Sequence, residues 1–421
     1  MAEAAGTVQR LRDIRGFLTF WTASTVSGFG SYVTALAIQV LVVITLHQGA
    51  FGVGVVNASR WLPYLLFGLV AGVLVDRSRR RPLLVTTDLV RGALLVAVPL
   101  LALTHHLTIG VLTAFMVVFG LMSLFHDAAA QSFLPRLVPA GQLTAANARL
   151  DQSDAVAQTS GPALAGGLVS LLTAPWAVLV DAASYLVSGL LLLRIRIAEP
   201  APRPIRLPGM ASEAAEGLSW MYRHPTLRPL AISTHGWFLC SAVGGAVLPP
   251  FALRTLGLSA FGLGIALAVG GIGGLLGSLA ATRLGARFGA GPVVIACRAA
   301  TAAAWALVAV STDRWTGWVV FGAGQLLLGI SMGAENANEM GYWQTATPDN
   351  LQGRVNATRR SINRAMVVVG APLGGAIGDL IGLRAMLWAA AAGILLAAFG
   401  LTLTGFRHAR HGDTRPSASW A

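Results

Sequence analysis

The feature that most constrains this chain is a series of apolar segments, each long enough to cross a lipid bilayer. A membrane-spanning helix needs about 20 mainly apolar residues, and twelve segments meet that requirement. Glycine is frequent, at 49 of 421 residues, which suits closely packed membrane helices. The predicted spans are residues 17–46, 53–75, 82–103, 108–130, 148–171, 175–195, 228–252, 260–284, 291–311, 315–340, 356–380 and 383–405.

Charge indicates how these spans are oriented. Only 11% of the residues are charged and 55% are hydrophobic, which excludes an ordinary soluble domain. All 30 basic residues are arginine, and they concentrate in alternate loops such as 77–81 and 194–228. By the positive-inside rule these loops and both termini are cytoplasmic. The net charge of +13 therefore reflects topology in the cell (plasma or inner) membrane, and we expect no nucleic-acid partner.

The two halves of the chain repeat. A shift of about 210 positions aligns Arg77 with Arg287, Pro82 with Pro292, Arg149 with Arg359, and Pro162 with Pro372. Six spans return a chain to the same side of the membrane, so the repeats are parallel and related by an axis along the membrane normal. We predict two six-helix bundles around a central cavity, with the chain divided into 1–195, a linker at 196–227, 228–406, and a tail at 407–421.

The linker is polar and rich in proline, which is typical of an extended connection. Within it, residues 212–222 have the pattern of a short amphipathic helix. We expect Ser212 to cap this helix. Its apolar side chains are expected at the membrane surface, and they are Leu218, Trp220, Met221 and Tyr222.

A short basic loop joins the second and third spans. Gly72 precedes Asp76 by four residues, and Arg77 and Arg80 follow. This pattern resembles the signature loop of the major facilitator superfamily (MFS), with Arg79 in place of the usual glycine, as in its drug- and siderophore-exporting branch. In that family the acid helps hold the cytoplasmic side shut, so the resemblance implies a latch role for Asp76, supported by Arg77 and Arg80. The alternative for the arginines is a basic loop that only sets topology, and the alternative for Asp76 is a solvated acid in that loop.

The fifth span contains Gly161-Pro162-Ala-Leu-Ala165-Gly166-Gly167. Glycines permit close packing and the proline bends a helix. The segment resembles the antiporter motif of the same family, with Ala165 in place of one glycine; a plain helix kink is the alternative. Further segments resemble the branch that exports drugs, macrolides and enterobactin, and they are 133–139 with Asn147, 181–188 and 353–356.

Ionisable residues inside membrane spans are costly and are functional candidates by default. Asp88 and Arg91 are three residues apart and can pair on one helix face. The repeat partner of Asp88 is Arg298, which has the opposite charge and suggests charge balance within or between the bundles. Burial favours the neutral form of a carboxyl group, so acids at such positions can carry protons. Our candidates are Asp181 and Glu335, followed by Glu339 and Asp154.

Two of the acids also have a plainer interpretation. We expect Asp154 near the start of the fifth helix, where the helix dipole favours a carboxylate, and Asp127 at the end of the fourth. Each proton-carrier candidate has the alternative of a structural, hydrogen-bonded acid.

The resemblance also implies which helices line the transport path, namely the first, fourth, seventh and tenth spans. Polar and aromatic residues on them are sparse among apolar ones, which suits amphipathic organic molecules. The cavity candidates are Ser31, Gln39, His235, Trp237, Gln325 and Met332. A bundle histidine with its own hydrogen-bond partner is the alternative for His235.

Together these observations predict an all-α polytopic membrane protein of the MFS fold that exports small amphipathic molecules in exchange for protons. We expect a monomer without cofactor or metal. Proton-coupled uptake of a nutrient or siderophore is the alternative within transport. The alternatives outside transport are a receptor and an intramembrane hydrolase built on Gly329-Ile-Ser331-Met-Gly333, although that pattern lacks a strand–turn–helix context.

Overall fold

The computed structural model describes residues 11–197 and 210–412. The first six long helices are α1 (Phe17–Val40), α2 (Ala50–Asp76), α3 (Arg80–Leu103), α4 (Ile109–Leu137), α5 (Leu143–Leu172) and α6 (Ala174–Arg194). A short helix, α7 (Met210–Arg223), follows. The last six long helices are α8 (Leu227–Pro250), α9 (Ala260–Phe288), α10 (Ala290–Val310), α11 (Trp315–Ala346), α12 (Asp349–Ile381) and α13 (Leu383–Thr402).

Eleven helices in the described ranges are long and apolar enough to cross a membrane. The helix α2, with 27 residues, is the remaining long one, and it contains the apolar run predicted as the second span. The prediction of an all-α polytopic membrane protein is therefore confirmed.

Several helices extend beyond the predicted spans. The helix α4 continues through Pro135 to Leu137, so Asp127 lies ten residues before its end and does not close it. The helix α5 begins at Leu143, so Asp154 lies three turns inside and does not open it. The expectations for both acids were wrong because we ended the spans where hydropathy falls, whereas the helices continue past the apolar stretch.

The local geometry repeats at the spacing found in the sequence. A π-helical turn at Leu41–Thr45 ends the first long helix, and a second one at Phe251–Thr255 lies 210 residues later. The joint between α5 and α6 is made by Thr173 with a φ of 69°, and the joint between α12 and α13 by Gly382 with a φ of 103°. The two halves thus turn at corresponding positions, and Thr173 does so in a conformation that favours glycine.

The hydrophobic core is shared at one end of the molecule and divided at the other. Where α1 ends and α2 begins, one cluster joins both halves, with Val43 and Ala50 from the first and Phe251 and Leu387 from the second. We call this the joined end. Near residue 14 and residue 406 there are two clusters, one confined to each half, and we call this the split end.

The helix α7 packs on the second half at the split end. Met221 is fully buried in the cluster of that half, with Trp220 and Tyr222 against it. The expectation of a membrane-surface position was therefore wrong for Met221, whereas Trp220 and Tyr222 are half-buried and Leu218 is exposed, at 40%. The backbone places Ser212 inside the helix, which begins at Met210; its side chain lies outside the described part.

The turn from α7 to α8 is held by His224. Its Nδ1 accepts hydrogen bonds from the backbone N–H groups of Thr226 and Leu227, both at 3.3 Å. Burial lowers the pKa of His224, which keeps the imidazole neutral so that Nδ1 can accept. The linker helix is thereby fixed to the first turn of α8.

Candidate functional site

The first half contains a buried charge cluster around Asp88. This fully buried carboxylate pairs with Arg91 on the same helix and accepts a hydrogen bond from Ser188 of α6 at 2.6 Å. His126 Nδ1 of α4 lies 3.2 Å from it. The Arg91 guanidinium also lies over the Tyr185 ring, 4.2 Å from its centroid. The predicted Asp88–Arg91 pair thus joins α3, α4 and α6.

Asp181 lies deeper in α6 and has different surroundings. It is fully buried, and its Oδ1 accepts a hydrogen bond from Ser184 at 2.8 Å. A Cβ at Gly30 would collide with this carboxyl group, so glycine lets α1 approach it. Ser31, the next residue, is bonded to Tyr185 at 2.9 Å. Among the described residues, no cation lies within ion-pair distance of Asp181.

The second half contains a larger cluster, centred on Arg298 of α10. Its side chain is fully buried; Nε donates to Glu335 at 2.7 Å and Nη2 to Glu339 at 3.0 Å. Because Arg298 and Asp88 occupy corresponding positions in the repeat, opposite charges stand at equivalent places. Each is balanced inside its own half, which resolves the alternative left open by the sequence.

Glu339 is also held from other helices. Its Oε1 accepts from Thr234 at 3.0 Å, from Trp343 at 3.2 Å, and from Arg359 at 3.3 Å. Glu335, in contrast, uses Oε1 for Arg298, while its buried Oε2 has no described partner. Glu335 and Glu339 share one face of α11 and one arginine partner, but Glu339 accepts more hydrogen bonds than Glu335.

The signature loop lies at the split end. Arg80 is buried and its Nε donates to Ser132 of α4 at 3.4 Å. Arg77 caps the end of α2 through its backbone N–H. A Cβ at Gly72 would meet no described atom within 4 Å, so this conformation does not require glycine there. Asp76 is the last residue of α2, and its side chain lies outside the described part.

The antiporter-like segment of α5 lies against α9 of the other half. A Cβ at Gly166 would collide with the backbone of Ala260, and one at Gly264 would collide with the Pro162 carbonyl. Gly161 instead faces Tyr32 of α1. The motif therefore brings the backbones of the two halves together near the joined end, which a helix kink alone would not do.

Two residues not singled out in the sequence fasten the joined end. Asp379, near the end of α12, accepts hydrogen bonds from the backbone N–H groups of Ala50 at 2.8 Å and Phe51 at 2.9 Å. Arg254 donates to the Val43 carbonyl at 2.6 Å. The sequence did contain a signal for Asp379, because it is an acid near the end of a predicted span, on the side of the membrane where charged residues are few.

A cluster of arginines and aromatic rings lies between the halves, midway along α2. Arg364 of α12 lies over the Trp61 ring, 3.8 Å from its centroid, and over Tyr64 at 5.7 Å. Arg60 lies over the same Trp61 at 5.9 Å. The Tyr64 hydroxyl donates to the exposed Asp127 at 2.7 Å. The sequence analysis did not single out Arg60, Trp61 or Arg364.

The predicted cavity residues have diverse positions. Gln39 lines a cavity of about 60 Å³ between α1, α2 and α4. His235 is buried and its Nδ1 is 2.8 Å from Asn363 Oδ1, while Gln325 is only 3% exposed. Trp237 packs against the shared core, and Met332 is 43% exposed. Asp154 is exposed, with Tyr32 as its hydrogen-bond partner at 3.5 Å.

A family model described as "Transmembrane secretion effector", within the major facilitator superfamily, matches residues 9–421. The chain belongs to the major facilitator superfamily. An MFS-type transporter of Sinorhizobium fredii is 28% identical over 382 residues, covering 88% of this chain and 89% of its own.

Two further relatives have more specific names. Macrolide efflux protein A of Streptococcus pyogenes is 24% identical over 220 residues, which are 51% of this chain and 53% of that protein. The staphyloferrin A transporter of Staphylococcus aureus is 27% identical over 177 residues, covering 41% and 44%. This MFS protein thus spans about half the length of these two relatives.

Solved structures show the same fold. A nucleoside transporter matches with a TM-score of 0.76 at 13% identity, covering 92% of this chain and 99% of its own. A bacterial homologue of the iron transporter ferroportin, in an inward-facing state, matches with a TM-score of 0.71 at 16% identity, covering 94% and 99%. The predicted MFS fold is confirmed, and the similar proteins are transporters, not enzymes.

Proposed function

We propose that this MFS transporter exports small amphipathic organic molecules from the cytoplasm in exchange for protons, by alternating access to a site between its halves. The observation that supports this most is the division of the core, which is shared at the joined end and separate at the split end. Two bundles that rock about a central site pass through such an arrangement in each cycle. The relative named as a macrolide efflux protein favours export of amphipathic compounds.

The orientation follows from the arginines. The loop at 77–81 and the residues at 223–228 and 407–410 all lie at the split end, whereas the joined end has few arginines. Under the positive-inside rule the split end and both termini are cytoplasmic. The space between the halves is then accessible from the cytoplasm, as required for loading an exported substrate. Both halves come from one chain, so a monomer suffices.

The proton carriers in this proposal are Asp181 and Glu335, one in each half. Asp181 has a hydroxyl partner and no described cation in contact, so a proton would remove a charge that burial penalises. Glu335 shares Arg298 with Glu339, so its protonation leaves the arginine paired. We assign Glu339 a structural role because four side chains donate to it. Exposed Asp154 is the weaker carrier candidate.

Proton coupling is testable with purified protein in liposomes that contain a pH-sensitive dye. Under an imposed proton gradient, we expect at least one compound from a panel of macrolides, dyes and siderophores to trigger proton movement. Glu335→Gln or Asp181→Asn should abolish that movement because the amide side chain cannot release a proton. Asp313→Asn, at an exposed acid in the loop between α10 and α11, is the matched control and should behave as the unmodified protein.

The outcomes separate the claims. Compound-triggered proton movement that persists in both variants would remove the carrier assignments and leave antiport standing. Silence across the panel, from protein with a normal thermal unfolding transition, would contradict drug-type export. Protons and compound moving in the same direction across the membrane would favour the alternative of symport.

A second prediction concerns Asp76. In the family this acid stabilises the state in which the cytoplasmic side is closed, so Asp76→Asn should slow turnover with little change in the affinity for substrate. Asp76→Glu keeps the charge and should retain most of the turnover. The measurement is the initial transport rate against substrate concentration in proteoliposomes, and an unchanged maximal rate in Asp76→Asn would remove the latch assignment.

A further inference from the structure

The guanidinium groups of Arg60 and Arg364 lie close together where the two halves meet, and neither is within ion-pair distance of a carboxylate in the described part of the chain. Their distances from the Trp61 centroid, 5.9 Å and 3.8 Å, place the two guanidinium carbons less than 10 Å apart. Both guanidinium groups also lie near a second aromatic ring, Arg60 at 5.6 Å from the Phe119 centroid and Arg364 at 5.7 Å from that of Tyr64.

This position lies about midway between the two ends of the molecule, and both arginine side chains are half-buried. Arg60 is ten residues from the start of α2 at Ala50, or roughly 15 Å at 1.5 Å per residue, which is half the thickness of a bilayer core. A charge at that depth is costly unless paired or hydrated. The attraction of an aromatic face offsets only part of the cost of burying a cation. Both arginines can therefore still bind an anion favourably.

The carboxylates in the same region do not cancel this charge. Asp127 accepts its hydrogen bond from Tyr64, and Asp181 accepts one from Ser184. Asp127 attracts Arg364 and Asp181 attracts Arg60 through space, but in the described structure neither acid is within ion-pair distance of either arginine. An acid can lose its charge by binding a proton, whereas arginine remains charged in proteins. The two arginines therefore keep a positive charge between the halves whether or not the nearby acids are protonated. Arg60 contributes it from the first half and Arg364 from the second.

A small cavity adjoins Arg60 and adds neutral hydrogen-bond donors. Its volume is about 60 Å³, and its polar lining consists of Thr34, Gln39, Asn57 and Arg60 among apolar side chains. Of the described residues that line it, none is acidic. The amide groups of Gln39 and Asn57 make no hydrogen bond within the described structure. Since a water molecule occupies about 30 Å³ in the liquid, the cavity has room for a carboxylate group.

We propose that the substrate of this transporter carries an anionic oxygen group, a carboxylate or phosphate, that binds between Arg60 and Arg364 while its apolar body contacts the surrounding aromatic and aliphatic side chains. This inference rests on the proposed transport function and specifies its substrate class. Guanidinium groups suit such anions because their parallel N–H donors match two oxygens at once. With one arginine from each half, a bound anion links the halves, so binding and rocking are coupled.

The test uses four probes with one naphthyl body and different head groups: 1-naphthoate, 1-naphthyl phosphate, 1-naphthamide and 1-naphthylmethylammonium. Isothermal titration calorimetry on the full protein in nanodiscs, with empty nanodiscs as reference, should show binding of at least one anionic probe. Loss of a charge-assisted hydrogen bond is expected to weaken that binding by about tenfold or more in Arg60→Gln and in Arg364→Gln. Arg364→Lys keeps the charge but loses the planar guanidinium group, so its affinity for the anionic probe should lie between those of the glutamine variants and the unmodified protein.

The matched control is Arg287→Gln. Arg287 also lies over an aromatic ring, 5.2 Å from the Phe288 centroid, but it is exposed at the split end, so its loss should not change anion binding. Unchanged thermal unfolding of each variant shows that folding is intact. Preference for the phosphate over the carboxylate, or the reverse, identifies the anionic group.

Three results would overturn the inference: no binding of either anionic probe, equal affinity for the anionic and neutral probes, or anion binding that survives both glutamine variants. Stronger binding of the ammonium probe would assign the site to a cation held by Asp127. The same probes in the liposome assay distinguish this inference from the proposed function. Transport of neutral or cationic compounds alone would support the proposed export and contradict the anion site. Anion binding without any transport would support the anion site and contradict the proposed export.

Discussion

Replacing Arg298 with glutamine is expected to destabilise the second half of the transporter more than any other single loss of charge. Arg298 is fully buried and bonded to Glu335 and Glu339 at 2.7 and 3.0 Å. Removal of one partner from a buried ion cluster typically costs about 3–5 kcal/mol because the remaining charges stay buried without compensation. We expect the apparent thermal unfolding midpoint in detergent to fall by on the order of 5 °C.

If uncompensated buried charge causes this loss of stability, a second substitution that removes one of those charges should restore part of it. Arg298→Gln leaves two glutamates in one buried site with only Arg359 to balance them. Adding Glu335→Gln removes one of the unbalanced charges, so the double variant should recover part of the lost midpoint. Arg283→Gln, at an exposed position on α9, is the matched control and should leave it unchanged. An Arg298→Gln variant as stable as the unmodified protein would show that the cluster does not support the fold.

The fold could be predicted because the relevant signals are local or regular. Span length and hydropathy indicated the long helices, and the 210-residue repeat indicated two equivalent halves. Glu335 and Glu339, four residues apart, share a helix face, so their joint binding to one partner was within reach of the sequence. That the partner is Arg298 depends on how α10 packs against α11, which spacing along one helix does not show.

The contacts between the halves were beyond the sequence for the same reason. Arg364 and Trp61 are 303 positions apart, and nothing local marks either as the other's neighbour. Asp379 follows a glycine-rich apolar run, where an acid near a helix end is most simply a solvated one. Helix boundaries were also misplaced, because α4 continues beyond its apolar stretch and α5 begins before its own. Hydropathy records contact with lipid and not the end of a helix.

Replacing Asp379 is expected to open the joined end. Its two carboxylate oxygens accept hydrogen bonds from the first two N–H groups of α2, where the helix dipole favours negative charge. A partly buried contact of this kind contributes up to about 2 kcal/mol. Asp379→Asn removes the charge and one of the two oxygen acceptors, so it should shift the equilibrium away from closure by up to about 30-fold. Spin labels at exposed positions 106 and 312, in a protein without native cysteines, measure the width of the joined end. We expect the variant to show an additional population with a longer distance between the labels.

Gly49→Ala tests the same contact without changing any charge. A Cβ at Gly49 would collide with both carboxylate oxygens of Asp379, and the backbone of Gly49, with a φ of −76°, accepts alanine. We therefore expect Gly49→Ala to lengthen the distance in the same direction as Asp379→Asn. Asp151→Asn, which changes an exposed acid on α5 away from the joined end, serves as the control. Distance distributions unchanged in both test variants would show that this contact does not hold the joined end closed.

The geometry of α2 and α12 gives this contact its place in the cycle. The two helices run antiparallel, so the end of each lies near the beginning of the other. Asp379 near the end of α12 caps the beginning of α2 in the present state, and Asp76 is the last residue of α2, on the side where α12 begins. We expect Asp76 to act at the beginning of α12 when the split end closes. Asp379→Asn should then favour the outward-facing state and Asp76→Asn the inward-facing one, so that their effects on the label distances oppose each other.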